Sequence, residues 1–284
     1  MHKKFTAAFA LFLLLAGAPA HAQTDGADVT NALAKRDYAT AFKILTPLAE
    51  AGDDQACLLL STLEGGGFGY ATPHTDAALK WLTCAANGGN REAQMTLGDR
   101  YNDGLWTKQD YTEAAKWYRK AADQRLAPAQ VVLGQMYQLG RGVGEDQKEA
   151  LKLYLTAAGQ GLALAQTDVG IMYATGLGTT RDIPTAIKYF RLAADQYDVQ
   201  AAIWLGSAYE TGAGVQKDLT IAYMWNLIGQ KNADTKARGP MPVMPLPTGF
   251  AVILDNLGRK MTPAEIQLAH QMAERWKPGS PERP

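Results

Sequence analysis

The feature that most constrains this chain is a pattern that returns every 36 residues. Alanine, leucine or valine, glycine and tyrosine recur in fixed order, and a fixed period of this length is typical of stacked repeats. In such proteins one unit cannot bury its apolar face alone, so neighbouring units pack on one another. The sequence therefore predicts an all-α fold, an α-solenoid of stacked antiparallel helix pairs. The clearest copies are Ala93, Leu97, Gly98 and Tyr101; Ala129, Leu133, Gly134 and Tyr137; and Ala165, Val169, Gly170 and Tyr173.

Five full repeats are predicted over residues 53–231, and each consists of two helices. A glycine returns in the middle of the first helix although glycine costs about 1 kcal/mol there relative to alanine. Its return implies that a neighbouring helix packs too close for a Cβ atom. Another glycine ends the first helix, where a left-handed residue is favoured. The interior glycines are Gly98, Gly134, Gly170 and Gly206, and the terminal ones are Gly104, Gly140, Gly176 and Gly212.

The second helices carry two recurring features that resemble functional sites but have structural explanations. Four aspartates precede these helices, and N-capping explains both their type and their position. Glu113 and Glu149 stand three residues after two of them, the spacing of a capping box. Large residues also recur at one position of successive second helices, a set that we call the outer file. They are predicted to form core between helix pairs rather than a platform for a ligand. The aspartates are Asp110, Asp146, Asp182 and Asp218, and the file is Trp81, Trp117, Leu153, Tyr189 and Trp225.

The ends of the chain depart from the repeat. Residues 1–22 have a positive start, an apolar run and a small-x-small site at Ala20-His21-Ala22, which predicts a signal peptide cleaved after Ala22. An N-terminal membrane anchor is the alternative. Residues 23–52 are predicted to form a capping helix pair and 250–277 the closing helices. Residues 232–249 are expected to form a Pro-rich loop, with a docking segment for a proline-recognising partner as the alternative, and 278–284 a flexible tail.

Charge excludes two classes of partner. The chain has 28 basic and 28 acidic residues, and removal of residues 1–22 takes away Lys3 and Lys4, which leaves 26 against 28. This balance of charges does not indicate the basic surface stripe that binds nucleic acid or anionic lipid. The mature chain is accordingly predicted to have no nucleic-acid partner. No integral membrane span is predicted in it either, because the apolar run of residues 5–15 is shorter than the roughly 20 residues that a span needs and is removed with the signal peptide.

Catalytic and metal-binding motifs are not found in the sequence. The three serines, Ser61, Ser207 and Ser280, stand in none of the usual nucleophile motifs. His74 and His270, which remain after the signal segment, have no second ligand at the spacing of a zinc site. We therefore predict no enzyme activity, no cofactor and no metal site.

Two cysteines, Cys57 and Cys84, lie in the first repeat. In an antiparallel helix pair the ends that carry them are neighbours, so a disulfide is geometrically possible. The matching positions in other repeats include Gln94 and Lys120, which suggests that both sites are partly exposed. A disulfide and two free thiols both remain open.

The repeat pattern also resembles a known family. Ala-x-x-x-Leu-Gly-x-x-Tyr-x-x-Gly-x-Gly-Val, then Asp, Ala-x-x-Tyr and Ala-Ala, is similar to the Sel-one-like (Sel1) repeat, a relative of the tetratricopeptide repeat. The resemblance covers residues 53–231. It implies that the α-solenoid is right-handed, a TPR-like superhelix, and that it serves as an adaptor surface for other proteins. The first repeat departs from it at Ser61 and Glu64, which predicts looser packing. The cysteine-rich branch of this family ties each repeat to the preceding one, but Ala49 stands where the partner of Cys57 would be, so that disulfide pattern is not expected.

The remaining candidate is a surface. At 100° per residue, the side of each first helix that does not repeat is predicted to line one inner wall of the superhelix, where solenoids usually bind. The sequence thus favours an exported adaptor that binds a protein or peptide in a concave groove, with a regulatory role open. A cell-envelope hydrolase, related to cell-wall or β-lactam chemistry, and a passive structural scaffold are the alternatives. The predicted partner-binding residues are Met95, Asp99, Asn102, Val131, Gln135, Gln138, Ile171, Ser207 and Glu210.

Overall fold

A computed structural model describes residues 20–68, 73–237 and 249–280. All regular secondary structure in these ranges is helical, which confirms the all-α prediction. The fourteen helices are α1 (Ala20–Ala34), α2 (Tyr38–Glu50), α3 (Asp54–Gly65), α4 (Thr75–Asn87), α5 (Arg91–Asp103), α6 (Tyr111–Asp123), α7 (Ala127–Leu139), α8 (Gln147–Gly159), α9 (Ala163–Thr175), α10 (Ile183–Ala194), α11 (Val199–Thr211), α12 (Leu219–Ala237), α13 (Gly249–Gly258) and α14 (Pro263–Arg275).

The helices are distributed over two compact units. The first unit comprises Met1–Ala129 with Gly140–Gly144, and the second comprises Gln130–Leu139 with Glu145–Pro284. In the first unit each helix from α1 to α6 packs on the next. In the second unit the same succession runs from α8 to α12, and α12 also contacts α13 and α14. Consecutive helix pairs of this kind are the solenoid architecture that the repeat predicts.

The starts of the second helices confirm the role of the recurring aspartates. Each carboxylate accepts backbone N–H groups of the first helical turn, such as those of Lys148 and Glu149 on Asp146 at 3.0 Å. The same bonds form at Asp110, Asp182 and Asp218. The capping boxes expected at Glu113 and Glu149 are not formed, because these side chains pair with Lys116 and Lys152 instead. A complete capping box occurs at Thr262 and Glu265, where α14 begins.

The interior glycines lie against a side chain from the second helix of the same repeat. A methyl group on Gly134 would stand 2.6 Å from Tyr154 Cε1, and one on Gly170 would stand 2.5 Å from Phe190 Cε1. Both rings are buried, with 1% and 2% of their surface exposed. The predicted close approach is thus confirmed, and a ring of the paired helix causes it.

The first repeat replaces both members of this contact. Ser61 stands at the glycine position and Leu82 at the ring position, so a smaller facing side chain leaves room for a Cβ atom. Ser61 and Leu82 are 3% and 0% exposed. Glu64, at the tyrosine position, is also buried, and its Oε2 lies 3.1 Å from His74 Nδ1. The looser packing predicted for this repeat is therefore not found.

In the middle repeats, a buried glutamine of the first helix is hydrogen-bonded to an exposed glutamine at the end of the second helix. Gln124 Nε2 donates to Gln94 Oε1 at 2.8 Å. The equivalent bond forms in each of the next two repeats. Gln94 is only 5% exposed, so the prediction that this position is partly exposed is wrong. The Gln94 amide can be buried because both of its ends are hydrogen-bonded: Oε1 accepts from Gln124, and Nε2 donates to the Ala86 carbonyl of the preceding repeat at 3.1 Å. The later pairs are Gln160 with Gln130 and Gln196 with Gln166.

The first repeat has a disulfide where the others have this glutamine pair. Cys57 occupies the position of Gln94 and is fully buried, whereas Gly88 occupies the position of Gln124 and has no side chain to donate. The structure joins Cys57 to Cys84, with a Cα–Cα distance of 5.9 Å that is typical of disulfides. The covalent link thus connects α3 to α4, as the amide pair connects the helices of later repeats.

The end of the last repeat differs from its predicted boundary. The helix α12 continues to Ala237, six residues beyond the predicted end at 231, so residues 232–237 are helical rather than loop. The remainder of the Pro-rich segment, 238–248, lies outside the described residues, as do residues 1–19 of the predicted signal peptide. No helix in the described ranges is long and apolar enough to cross a membrane.

The segment after α14 is anchored on the second unit, although residues 278–284 were predicted to be a flexible tail. The Trp276 ring meets the Trp225 ring with centroids 5.4 Å apart and the Tyr197 ring at 6.1 Å. The backbone N–H of Gly279 donates to Asp195 Oδ1 at 2.8 Å. Indole burial and a charge-assisted hydrogen bond hold this segment up to residue 280. Residues 281–284 lie outside the described part of the chain.

We predict that Gly134→Ala destabilises the second unit by about 1–3 kcal/mol, because the new methyl group overlaps the Tyr154 ring. Adding Tyr154→Leu should recover part of this loss, because the pair then resembles Ser61 and Leu82. Chemical denaturation measures the change. Gly159→Ala is the matched control, since a methyl group there meets nothing within 4 Å and should be neutral or slightly stabilising. A loss at Gly134 no larger than that at Gly159 would contradict the prediction.

We also predict that reduction of the disulfide destabilises α3 and α4 by about 2–4 kcal/mol, the usual range for such a link. Hydrogen exchange measured by mass spectrometry should show faster exchange in residues 54–87 on addition of reductant and no change in α9 to α11. The double variant Cys57→Ala, Cys84→Ala should exchange equally with and without reductant. Identical exchange of the natural chain in both conditions would count against the link.

Candidate binding surface

The structure places the predicted partner-binding residues in two groups, one in each unit. Met95, Asp99 and Asn102 are half-buried on α5 of the first unit. Tyr118 donates its hydroxyl to Asp99 Oδ1 at 2.7 Å, and Asn102 Nδ2 donates to Asp103 Oδ1 at 2.7 Å. Burial raises the pKa of Asp99, and the hydrogen bond from Tyr118 partly offsets that rise. Asp99 and Asn102 therefore have internal hydrogen-bond partners, and α5 does not present them as open binding groups.

In the second unit, three of the predicted residues occupy one repeat position on successive first helices. Gln135 and Ser207 are exposed, and Ile171 is half-buried between them in the repeat order. Gln138 is half-buried and accepts the Tyr154 hydroxyl at 3.1 Å. Glu210 lies 2.8 Å from Lys260 Nζ, so its charge is compensated within the unit. The position shared by Gln135, Ile171 and Ser207 is thus the most accessible part of the predicted surface.

Val131 is the clear error among the predicted residues. It is 2% exposed and belongs to the core. The equivalent residue one repeat later, Thr167, is equally buried, and its hydroxyl donates to Asp198 Oδ1 at the start of α11 at 3.0 Å. This position faces the beginning of the following repeat rather than solvent, which the helical angle alone did not distinguish.

The first helices of the second unit are almost free of charge. The helix α7 contains no Asp, Glu, Lys or Arg, α9 contains Asp168 alone, and α11 contains Glu210 alone. By contrast, α5 in the first unit has the same length and carries five charged residues. Packing does not impose this difference, because equivalent outward positions are charged in α5. We call the exposed and half-buried outward residues of α7 (from Gln130), α9 and α11 the first-helix face.

The residues on this face present mostly apolar or neutral groups to solvent. Leu139 and Leu164 are 64% and 49% exposed. The hydroxyls of Thr175 and Thr211 donate to carbonyls of their own helices, those of Ile171 and Ser207, at 2.8 Å. These bonds turn the hydroxyl hydrogens inward. Sequence reasoning missed Leu139, Leu164 and Thr175, although the lack of charge at exposed helical positions was a usable signal.

Asp168 is the exception within the first-helix face. At 100° per residue it lies within about 60° of Leu164, Ile171 and Thr175 on α9. It is half-buried, and its Oδ2 atom is buried without a hydrogen-bond partner. Burial, reinforced by the nearby Asp198 carboxylate, raises the pKa of Asp168 to about 7. No sequence pattern pointed to this residue, because its repeat equivalents are Thr96, Val132 and Trp204.

The aromatic files do not form an open platform. The inner file of Tyr118, Tyr154 and Phe190 is buried. In the outer file Trp225 is buried, and the ammonium groups of Lys120 and Lys80 lie 3.7 Å and 4.5 Å from the centroids of Trp117 and Trp81. Cation–π contact of this kind covers exposed ring faces. The outer file is only half-buried, so the prediction that it is core holds fully for Trp225 and partly for the others.

Residues considered for catalysis are not assembled into a reactive group by the elements that carry them. Ser61 is buried at 3% exposure in the first unit, and Ser207 is exposed on α11 in the second. His270 on α14 packs its ring against Tyr223, with centroids 5.8 Å apart. A cavity of about 460 Å³ beside it, between α12 and α14, has a mixed lining of Leu227, Ile228, Gln230, Lys231, Asp234, His270, Ala273 and Glu274. Within the described ranges, no three His, Cys, Asp or Glu residues could share a metal ion.

Comparison with known proteins identifies similar repeats and structures. The Sel1 repeat family model matches residues 54–90, 91–126, 127–162, 163–198 and 199–225. A Sel1 repeat protein from Oxalobacter formigenes is 28% identical, with a TM-score of 0.71 over 87% of this chain and 98% of its own. A protective antigen of uropathogenic Escherichia coli with an SLR fold, c5321, is 30% identical with a TM-score of 0.65. The match covers 82% of this chain but only 52% of that antigen. No curated protein matches the sequence.

We predict that Asp168→Asn stabilises the second unit at pH 8 and not at pH 4. The folded chain keeps a proton on Asp168 up to about pH 7, whereas the unfolded chain releases it near the ordinary value of 3.8. Stability therefore falls as pH rises between these values, and the amide removes that loss. The expected gain at pH 8 is about 1–3 kcal/mol, the usual penalty of an unsatisfied buried group.

Denaturant unfolding at both pH values, combined with hydrogen exchange in α8 to α11, measures this difference. Asp123→Asn is the control, because Asp123 is exposed at the end of α6 and its replacement should change stability little. An Asp168→Asn variant that is equally stable or less stable than the natural chain at pH 8 would refute the electrostatic explanation.

Proposed function

Because the chain belongs to the Sel1 repeat family, we propose that it is an interaction module that binds a protein or peptide partner on its first-helix face. Sel1 repeats form solenoids that generally serve as protein-interaction scaffolds. The partner would contact Gln135, Ile171 and Ser207, which share one repeat position. Glu210 and Gln138 would border this contact, since both already have partners inside the unit.

The observation that carries this proposal is the near absence of charge on α7, α9 and α11. Charged residues usually dominate the solvent-exposed side of a helix, and their depletion is typical of the core of an interface. Leu139, Leu164 and Ile171 add apolar area to the same helices. Hydrogen bonds from the side-chain amide of Gln135 would supply specificity without the desolvation of a charge.

We further propose that the protein acts after export, in the periplasm or outside the cell. The predicted signal peptide at residues 1–22 motivates this assignment, and the Cys57–Cys84 disulfide is consistent with an oxidising compartment. A regulatory role would follow if the partner were an enzyme or receptor. The hydrolase alternative gains no support from the contacts of Ser207 or His270, and a passive scaffold would leave the neutral face unexplained.

A capture experiment tests the proposed function. The purified chain is immobilised, incubated with an envelope fraction and cross-linked, and bound proteins are identified by mass spectrometry. A partner should be lost in the variant Gln135→Lys, Ile171→Lys, Ser207→Lys. It should be kept by the control variant Thr156→Lys, Leu192→Lys, Gln216→Lys, which adds the same charge at exposed positions elsewhere in the unit.

Circular dichroism confirms that both variants remain helical. Equal capture by the two variants would show that the first-helix face is not the binding surface. Capture of no discrete partner by the natural chain would favour the passive scaffold.

A further inference from the structure

We infer that the partner segment bound by the first-helix face is neutral and partly apolar except for one basic side chain, which Asp168 binds. This inference rests on the proposed function, because it specifies the partner of the same face. It goes further in naming the chemistry of the partner and the residue that selects it.

The electrostatics of the face point to a single positive charge. Its two carboxylates are Asp168 and Glu210, and Glu210 already pairs with Lys260 at 2.8 Å. Asp168 has no such cation. The charged group that acts on it is Asp198, which makes the surroundings more negative. A lysine or arginine placed there would meet a carboxylate that no cation among the described residues is seen to pair with.

The hydrogen bonds around Asp168 support the same assignment. Asp198 is satisfied, because its Oδ1 accepts the Thr167 hydroxyl and the Ala201 amide at 3.0 Å and 2.8 Å. The hydroxyl of the neighbouring Tyr154 donates to Gln138 rather than to Asp168. Asp168 Oδ2 is therefore left buried without a donor. An unsatisfied buried acceptor is costly, and an ammonium or guanidinium group beside this half-buried carboxylate would stabilise its ionised form.

The position of Asp168 explains why the rest of the segment should be neutral. Leu164, Ile171 and Thr175 surround it on α9, and Gln135 and Ser207 extend the face onto α7 and α11. An additional charge on the partner would be removed from water against these groups without a counter-charge, which is unfavourable. A basic residue with a long aliphatic stem fits, because the stem can lie on Leu164 or Ile171 while its charged end reaches Asp168.

The test uses peptide libraries of defined composition. Each library contains eleven-residue peptides with blocked ends, randomised among alanine, leucine, serine, threonine and asparagine, with a fixed central residue. The central residue is lysine, arginine, norleucine or glutamate. Retention on the immobilised full chain at pH 7.5 and low salt is measured by mass spectrometry. We expect lysine and arginine libraries to be retained at least tenfold more strongly than the norleucine and glutamate libraries.

Variants assign the effect. Asp168→Asn should reduce retention of the lysine and arginine libraries to that of the norleucine library, whereas Asp123→Asn, which removes an exposed carboxylate outside the face, should keep the preference. Ile171→Ala should weaken retention of all libraries alike. Retention that depends on Ile171 but shows no preference for a basic centre would overturn this inference and leave the proposed function standing. A preference that survives Asp168→Asn overturns it as well, and no retention of any library counts against both.

Discussion

In the three middle repeats, the contact between a glycine of the first helix and a ring of the paired second helix sets the distance between the two helices. A Cβ atom on Gly134 or Gly170 has no room, so the ring lies directly on the backbone of the first helix. Because the ring then has almost no exposed surface, each repeat buries a large apolar group at a fixed place. The position also brings the hydroxyl of Tyr154 to Gln138 on the first helix. The close approach of ring and glycine therefore determines how the core of a repeat is filled. It also determines the hydrogen bond that Gln138 makes at the edge of that core.

The repeats at the two ends of the series show how far this arrangement can vary. In the first repeat, the larger Ser61 replaces the glycine and the smaller Leu82 replaces the ring, so the interior remains filled. The disulfide of Cys57 joins the two helices where no glutamine pair can form. At the other end, Asn226 replaces the ring over Gly206, and its Nδ2 donates to a carbonyl of its own helix. Both end repeats retain a filled contact, although the residues that supply it differ, and the first repeat also retains a link between its helices.

Much of the fold could be predicted because its causes are local and repeated. The caps at Asp110 and its equivalents, the glycine ends and the interior glycines each follow from one residue and its spacing. The burial of Val131 and Gln94 was not predictable in this way, because it depends on contacts with other helices that a single helical wheel does not contain. The predicted end of α12 at residue 231 is too early, because it rests on the repeat pattern alone. The loss of the repeat pattern after Lys231 marks the end of the repeat, but the helix itself continues.

The candidate surface was predictable only in part, and the missing part is electrostatic. Repeat spacing correctly brings Gln135, Ile171 and Ser207 to equivalent exposed or half-buried positions. Repeat spacing does not reveal that charged residues are almost absent from α7, α9 and α11. It also cannot identify Asp168, because the residues at the same position in other repeats are uncharged. Asp168 is unusual only because its Oδ2 is buried without a donor and Asp198 is its charged neighbour. The Asp168 carboxylate, which lowers stability, contributes nothing to holding the repeat together. Buried rings, aspartate N-caps and hydrogen-bonded glutamine pairs already stabilise the repeat. Its place on a face whose other carboxylate, Glu210, is already paired with Lys260 therefore favours a role in recognition, where a partner supplies the missing charge.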